Sequence, residues 1–423
     1  MIDIERVRRN PEKYRETINA KRIPLDLDRL LNLDAQCREL TGRTNQLREK
    51  RNKLSEQVAQ EPQNKQQLIE ESRQNGEQLT TLQTELTVLA KELDELLGLV
   101  PGIPVEGVPV GETDKDNVEI RRWGEVKKRT FVEKDHMQLA AQHKLVDLDG
   151  ARQVAGSRAY ALLGDGALLE LAILRFALDR VVNKGFIPVL PPLMVNRAAM
   201  FGTGYFPLGE DNAYELEEHK MFLTGTSEVG IVAMQMNRLF NQDELPARFV
   251  GISTCFRKEA GSAGRDVRGL YRVHQFQKVE QVVFCENDPE VAAKEHVALL
   301  QNAEDILQAL ELPYRVVAVC TGDMGLGQVQ KHDLETWMPS RQAYCETHSC
   351  STFDDFQARR LNLRYRGEDK KKKYLCTLNN TAIASPRILI PFLENHQNED
   401  GTIYVPPALR PYLGNREQLG VSP

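Results

Sequence analysis

Between Leu27 and Leu97 apolar side chains return at alternating steps of three and four. Leu33, Leu40, Leu47 and Leu54 stand seven apart, with Leu30, Cys37, Thr44, Arg51 and Val58 at the alternate position. Leu68, Leu79, Leu82, Leu86, Leu89, Leu93 and Leu96 continue the rhythm. That period is the seam of a coiled coil. Pro62-Gln63-Asn64 interrupts it once, which predicts two helices folded back antiparallel. Packing is expected to be tightest where the second helix is leucine-dense, Leu82 to Leu96, and poorest near the turn. Farther along, a β-prone run from Phe249 to Phe256 is followed by a Gly/Ser/Arg turn, Gly261 to Gly269, and a second β-prone run from near Leu270. Two strands and a glycine-cornered loop predict a long hairpin. Leu168 to Val182 reads as a helix buried on most sides, and Ile388 to Leu393 as an apolar helix. Leu223 opens a short strand that runs into a helix rich in Met and Leu, Val229 to Leu239.

Composition narrows the class. With 423 residues, 41% hydrophobic and 27% charged, the chain is long enough for two or three domains. No stretch approaches the apolar length that spans a membrane, and the start lacks the apolar core of a secretory signal. Seven scattered cysteines predict reduced thiols, and the chain reads as cytoplasmic or as the processed form of an organellar protein. Net charge is −6, so a polyanionic partner has to be held by local basic patches. The first helix of the coiled coil supplies one, with Arg38, Arg43, Arg48 and Arg51 along it. Salt-bridged solvated helices carry the same pattern, and spacing alone does not separate the two readings.

Candidate chemistry concentrates in the hairpin. Arg257 and Glu259 are two residues apart and share one face of a strand. The loop carries Arg265 and Arg268, with Arg272 just past it and Phe276 as a stacking surface. Guanidinium groups, an acceptor and an aromatic ring suit a nucleotide. Thr226-Ser227-Glu228 sits at a strand–helix junction, where a hydroxyl and a carboxylate either cap the helix or receive a substrate ammonium. Glu346 and Ser349 stand at i and i+3. Cys345, His348 and Cys350 nearby have poor spacing for zinc.

The hairpin wording is Cys255-Phe256-Arg257-Lys258-Glu259-Ala260-Gly261-Ser262, then Arg268-Gly269-Leu270-Tyr271-Arg272-Val273-His274-Gln275-Phe276, then Lys278-Val279-Glu280. It resembles motif 2 of the class II aminoacyl-tRNA synthetases, and the seryl-tRNA synthetases in particular. Gly185 to Met194, with Pro192, resembles motif 1, which forms the dimer interface in that family. Arg387 before an apolar helix resembles motif 3. The likeness covers nearly the whole chain, N-terminal arm included. It implies an α+β fold: an antiparallel two-helix coiled-coil arm plus a catalytic domain built on an antiparallel β-sheet flanked by helices. The boundaries implied are residues 1–100 for a tRNA-binding arm, 101–124 for a linker and 125–423 for the catalytic domain.

The resemblance also assigns roles. L-serine would meet Thr226, Ser227, Glu228, Glu280 and Thr381. ATP would meet Arg257, Lys258, Glu259, Val273, Phe276, Glu346, Thr347, His348, Ser349 and Arg387, with Arg257 and Arg387 catalytic. Mg2+ would take Glu346 and Ser349, and the partners would be tRNA(Ser) and a second copy of the chain. Whether tRNA(Sec) is also served stays open. One departure stands out: Asn380-Thr381-Ala382 replaces the usual bacterial Gly-Ser-Gly. Two other readings remain on sequence alone, an amino-acid ligase acting on a carrier protein and a non-catalytic RNA-binding paralogue.

Overall fold

The computed structural model describes residues 2–60, 62–260 and 269–420, which divide into two compact units on either side of Pro101/Gly102. In the first, two short helices (Ile4–Arg9 and Pro11–Ala20) precede α1 (Leu27–Gln60) and α2 (Lys65–Leu97), joined by a single 3-10 turn at Pro62–Asn64. The pairs Arg29–Glu92 at 2.7 Å and Lys50–Glu71 at 2.7 Å tie the helices at opposite ends and fix them antiparallel, as the heptads predict. Burial is strongest at the base, where Leu30, Leu33 and Leu40 are closed off together with Val7, Tyr14 and Ile18 of the short helices. Leu82, Leu86, Leu89, Leu93 and Leu96 are only half-buried, so the tight end is set by α1 and the short helices rather than by the leucine-dense α2. The seam turns polar midway. Thr44 and Asn75 are buried there, and the Asn75 amide donates to the Leu47 carbonyl at 3.0 Å.

The second unit is organised on one sheet. Its strands are β1 (Val118–Trp123), β2 (Ile187–Val189), β4 (Leu239–Asn241), β5 (Ala247–Phe256), β6 (Gln275–Glu286), β7 (Tyr314–Ala318), β8 (Gln330–Met338), β9 (Ala343–Thr352), β10 (Arg364–Arg366) and β11 (Lys372–Ser385). β3 (Met221–Leu223) lies in a separate three-stranded sheet. The spatial order is β1-β7-β8-β9-β11-β6-β5-β2, with β10 joining β11 to β4. Pairing is antiparallel except at β2–β5 and β4–β10. β1 comes from the stretch expected to be linker: Val118 pairs with Ala318 and Trp123 with Tyr314, so residues 118–123 belong to the sheet.

Period-two alternation decides which face does what. Val279, Val283 and Cys285 of β6, with Leu378 and Ala382 of β11, point into the main core against α3 (Gly164–Val182) and α5 (Pro289–Ala309). Lys278, Glu280, Asn379 and Thr381 line cavities on the opposite face. Farther along that face, Val282 and Phe284 are covered by α4 (Ser227–Ala233) and α6 (Phe356–Leu361). The helix expected to run from Val229 to Leu239 stops at Ala233. Asn237 takes a left-handed backbone at φ 64°, and Leu239–Asn241 pairs with β10 instead. The second hairpin strand begins at Gln275 rather than near Leu270, because Leu270 to His274 form an irregular segment against the cleft. α7 (Leu389–His396) follows β11 and closes the core through Leu389, Phe392 and Leu393.

Candidate active site

Two adjoining cavities open on the sheet face that α3 and α5 leave free. The basic one takes Arg257 from the end of β5, Tyr271, Arg272 and Val273 from the irregular segment, Phe276 from β6, Glu346 to Ser349 from β9, and Arg387 from before α7. The acidic one takes Glu228 from α4, Glu280 from β6, Asn379 from β11, and Tyr205. They share Arg257, Lys278 and Ser349, so a ligand spanning both would cross those three side chains.

In the basic cavity Arg257 stacks on Phe276 with 5.1 Å to the ring centroid, and its Nη2 donates to the Gly225 carbonyl at 3.3 Å. Glu259 bonds Arg272 at 3.0 Å. Arg387 donates through Nε to the Tyr271 carbonyl at 3.2 Å and through Nη1 to the Glu346 carbonyl at 3.1 Å. Tyr271 is clasped between two guanidinium groups, Arg341 at 4.0 Å and Arg387 at 4.3 Å from its ring. Glu346 and Ser349, three apart on a strand, would ordinarily point to opposite faces. The register against β8 shifts here, Leu334 facing His348 while Glu335 faces Glu346, and the extra residue returns both to the cleft. The Glu346 side chain is 47% exposed at the mouth of the cleft. Desolvation by the cleft walls would raise its carboxyl, but Lys331, Arg387, Arg257 and Arg272 outweigh it and hold the group below the usual range. Two oxygen donors, one of them ionised, fit a hard cation that brings further oxygens with it. His348 is buried, which pushes it down to about 4, and its Nδ1 lies 2.8 Å from the Thr347 hydroxyl. It is a neutral wall here.

In the acidic cavity Glu280 Oε2 accepts from Lys278 Nζ at 2.7 Å and from the Thr381 hydroxyl at 3.1 Å. Glu228 accepts from the Gln357 amide at 2.7 Å, and burial pushes its carboxyl up to about 7.

The expected residues divide accordingly. Arg257, Glu259, Val273, Phe276, Glu346, Thr347, His348, Ser349, Thr381 and Arg387 all line the basic cavity, and Glu228 and Glu280 the acidic one. Thr226 and Ser227 line neither. Thr226 caps α4 by accepting from the Glu228 amide at 3.4 Å, and Ser227 is buried against Gly251, where an added Cβ would lie 2.5 Å from its hydroxyl oxygen. Lys258 also turns away, its Nζ lying over the Tyr214 ring at 5.8 Å. Arg265 and Arg268 lie outside the described residues. The unusual Asn380 and Ala382 point to the core face, away from the cavities. Asn380 Oδ1 accepts from Gln281 at 2.7 Å, and Gln281 in turn accepts from Asn302 of α5 at 2.7 Å. Their bulk is absorbed behind the sheet, and Thr381 alone meets the cleft.

Sequence reasoning missed Lys278, Tyr271, Tyr205 and Gln357. Lys278 was findable, since it stands two residues before Glu280 and so shares its face. Gln357 arrives from α6, 77 positions beyond Glu280 in the chain, and nothing local marks it.

Comparison with known proteins agrees with this geometry. Residues 1–104 match the seryl-tRNA synthetase N-terminal domain family, and residues 213–396 match the class II tRNA synthetase core domain (G, H, P, S and T). The serine–tRNA ligase of Deinococcus radiodurans is 48% identical over 99% of both chains. That of Bacillus subtilis is 44% identical over 99% of this chain and 100% of its own. The crystal structure of seryl-tRNA synthetase from Pyrococcus horikoshii complexed with ATP superposes with a TM-score of 0.92, at 38% identity and 99% coverage of both chains. With relatives this similar along its whole length, the chain belongs to the seryl-tRNA synthetase family of class II aminoacyl-tRNA synthetases.

Proposed function

We propose that this chain is a serine–tRNA ligase that attaches L-serine to tRNA(Ser) in two steps. The observation that carries the reading is the pair of cavities joined through Arg257, Lys278 and Ser349, one with an excess of guanidinium groups and one presenting the two carboxylates Glu228 and Glu280. ATP occupies the basic cavity, with Arg257 toward the α-phosphate, Arg387 toward the γ-phosphate, Glu259 toward the base and Phe276 beneath it. Lys258 and Val273 border the nucleotide through their backbone, and Thr347 and His348 form its wall. Serine occupies the acidic cavity, its ammonium toward Glu228 and its hydroxyl toward Glu280 and Thr381, while Thr226 and Ser227 hold Glu228 in place from the helix start. The serine carboxylate then attacks the α-phosphorus and pyrophosphate leaves. The acyl group next moves to the terminal ribose of the tRNA. The protein's contribution is positioning and charge compensation at the reacting phosphate. Glu346 and Ser349 would hold a Mg2+ arriving with ATP, which neutralises phosphate charge when bound.

Residues 1–100 serve as the tRNA-binding arm and 118–423 as the catalytic body, with Arg38, Arg43, Arg48 and Arg51 exposed along α1 for phosphate contacts. A homodimer through the motif 1 region accounts for Leu171, Ile187, Leu190 and Met194, apolar side chains that one copy leaves exposed. Among the described residues no helix is long and apolar enough to cross a membrane, and we place the enzyme in the cytoplasm. The arm and the retained Arg257, Glu259 and Arg387 favour this reading over a carrier-protein ligase or an inactive paralogue. The test is amino-acid-dependent pyrophosphate exchange across the amino acids, followed by aminoacylation of tRNA(Ser) and tRNA(Sec). Serine should be activated in strong preference to alanine, because a pocket built to bond a hydroxyl loses its partners when the hydroxyl is missing. Alanine or threonine as best substrate would sink the assignment.

A further inference from the structure

We infer that Gln357, which lies outside all three motifs, is a positioning residue that holds Glu228 as a pure hydrogen-bond acceptor for the serine ammonium. The inference rests on the serine-activating reading above.

The argument is one of hydrogen-bond direction. A glutamine amide has a donor end and an acceptor end, and its neighbours decide which faces which. Gln357 is 1% exposed, so water settles nothing. The Thr203 carbonyl, which can only accept, lies 3.0 Å from Nε2. The Thr377 hydroxyl donates to Oε1 at 2.7 Å. Both contacts place the NH2 end toward Glu228, whose Oε1 is 2.7 Å away. Turning the amide over would set two acceptors against each other at Thr203 and again at an ionised Glu228. The chain Thr377 to Gln357 to Glu228 therefore runs one way, and it supports the charged carboxylate over the protonated acid.

The surroundings make that support matter. Groups facing Glu228 are Gln357 from α6, Lys278 and Glu280 from β6, Asn379 from β11, and Tyr205, with Arg257 across the same cavity. Lys278 is already committed to Glu280 at 2.7 Å. Glu280 is thus balanced by an internal cation in direct contact, whereas the hydrogen-bond partners of Glu228 are neutral dipoles, Gln357 and Asn379, and Lys278 favours its charge only from a distance. Burial works against its charge, pushing it up to about 7, and Gln357 works the other way. Of the two carboxylates, Glu228 is the one without a cation in direct contact, and an arriving ammonium can supply it.

The test uses the full-length protein in serine-dependent pyrophosphate exchange between about pH 6 and pH 9, with KM measured separately for serine and ATP. Gln357→Leu should raise the KM for serine about tenfold near neutral pH and leave that for ATP nearly unchanged. Without its donor Glu228 protonates at higher pH, so the ratio of variant to wild-type KM should grow as pH falls. Thr377→Val keeps Gln357 and removes one of the two groups that orient it, leaving the Thr203 carbonyl, so it should move the same parameter the same way by a smaller factor. An unchanged serine KM and pH profile in folded Gln357→Leu would overturn the inference. So would equal rises in both KM values with a pH-independent ratio, the signature of a merely structural role. Should Gln357→Leu fail to fold, an unchanged serine KM in Thr377→Val overturns it instead. Absence of serine activation by the wild-type protein would remove the underlying function and the inference with it, an outcome distinct from the others.

Discussion

Lys278 Nζ and Glu280 Oε2 lie 2.7 Å apart, with 8% and 3% of their side chains exposed, in the wall between the two cavities. Removing one member of a buried pair leaves the other charge without compensation, a loss of about 3 kcal/mol. Lys278→Met should therefore destabilise the protein by about that amount in denaturant unfolding without ligand. Serine should restore part of the loss, because its ammonium brings a positive charge into the same acidic pocket. A variant as stable as wild type would show that Lys278 is not the counter-charge of Glu280.

Arg257 and Arg387 are held by different means, and the difference is measurable. Arg257 rests on Phe276 and the Gly225 carbonyl, so Arg257→Ala removes a ligand-facing group and should leave the fold intact. Pyrophosphate exchange should fall by about 10²- to 10³-fold, the usual cost of losing one donor at a developing charge. Arg387 depends on Tyr271, both its carbonyl and its ring face. Tyr271→Leu should raise the KM for ATP about fivefold through loss of the cation–π contact. Tyr271→Phe should be near neutral, since the stack uses the ring. Equal effects of the two substitutions would show that the hydroxyl, not the ring, matters.

How far the sequence reaches is visible in these residues. Arg257, Glu259, Glu280 and Arg387 sit inside local wording that carries its own geometry, a strand, a turn and a strand, and all four line the cleft. The coiled coil was legible for the same reason, because its period is local. The end of α4 was not. Val229 to Leu239 has helical composition, yet Leu239–Asn241 is drawn into a parallel pairing with β10, more than 120 residues away. Edge strand β1 was hidden by a Pro/Gly-rich approach that reads as linker. Thr226 offered two readings, and the described geometry gives it the capping one. Asn380 stands out in the sequence as a departure beside Thr381, and only strand register reveals that it faces α5.

A histidine pair, His296 buried and His332 half-buried, contributes to the acid sensitivity of the catalytic body. His296 Nε2 and His332 Nδ1 are 2.7 Å apart, and His296 Nδ1 lies 2.8 Å from the Thr352 hydroxyl. Burial and its neighbour push His296 down to about 3, and burial with Arg121 pushes His332 down to about 4. In the unfolded chain both would take up a proton near pH 6.5. Above that pH they are neutral in both states and contribute nothing to the pH dependence. Below it the unfolded state binds protons that the folded state refuses, so stability declines from about pH 6.5 toward about pH 4. His332→Gln should flatten this slope in denaturant midpoints taken across that window. An unchanged slope would mean the pair is protonated in the folded protein.

The arm provides the last prediction. Arg38, Arg43, Arg48 and Arg51 are exposed on α1, and the contacts they make are weak or local: Arg43 lies 3.9 Å from Glu39, Arg48 bonds Asn45 at 3.5 Å, and Arg38 pairs with Asp34 one turn away. Among the described residues none of these guanidinium groups meets a partner on α2, so the four are available to phosphates at little structural cost. The ties that hold the two helices together are others, Arg29–Glu92, Lys50–Glu71 and the Asn75 amide on Leu47. Neutralising Arg43, Arg48 and Arg51 together should leave the thermal unfolding of the arm nearly unchanged. It should also weaken tRNA binding and flatten its salt dependence, because each lost phosphate contact lowers the slope of log K against log salt by about 0.9 or less. Deleting about residues 40–89, with a short turn joining the stumps, goes further. The base around Leu30 and Leu33 stays in place, and every residue proposed to touch ATP or serine lies beyond residue 220. Serine activation should survive that deletion while transfer to tRNA collapses. Both reactions belong on the same preparation. Loss of activation along with transfer would make the arm a structural element of the body, and undiminished aminoacylation would mean that the tRNA does not use it.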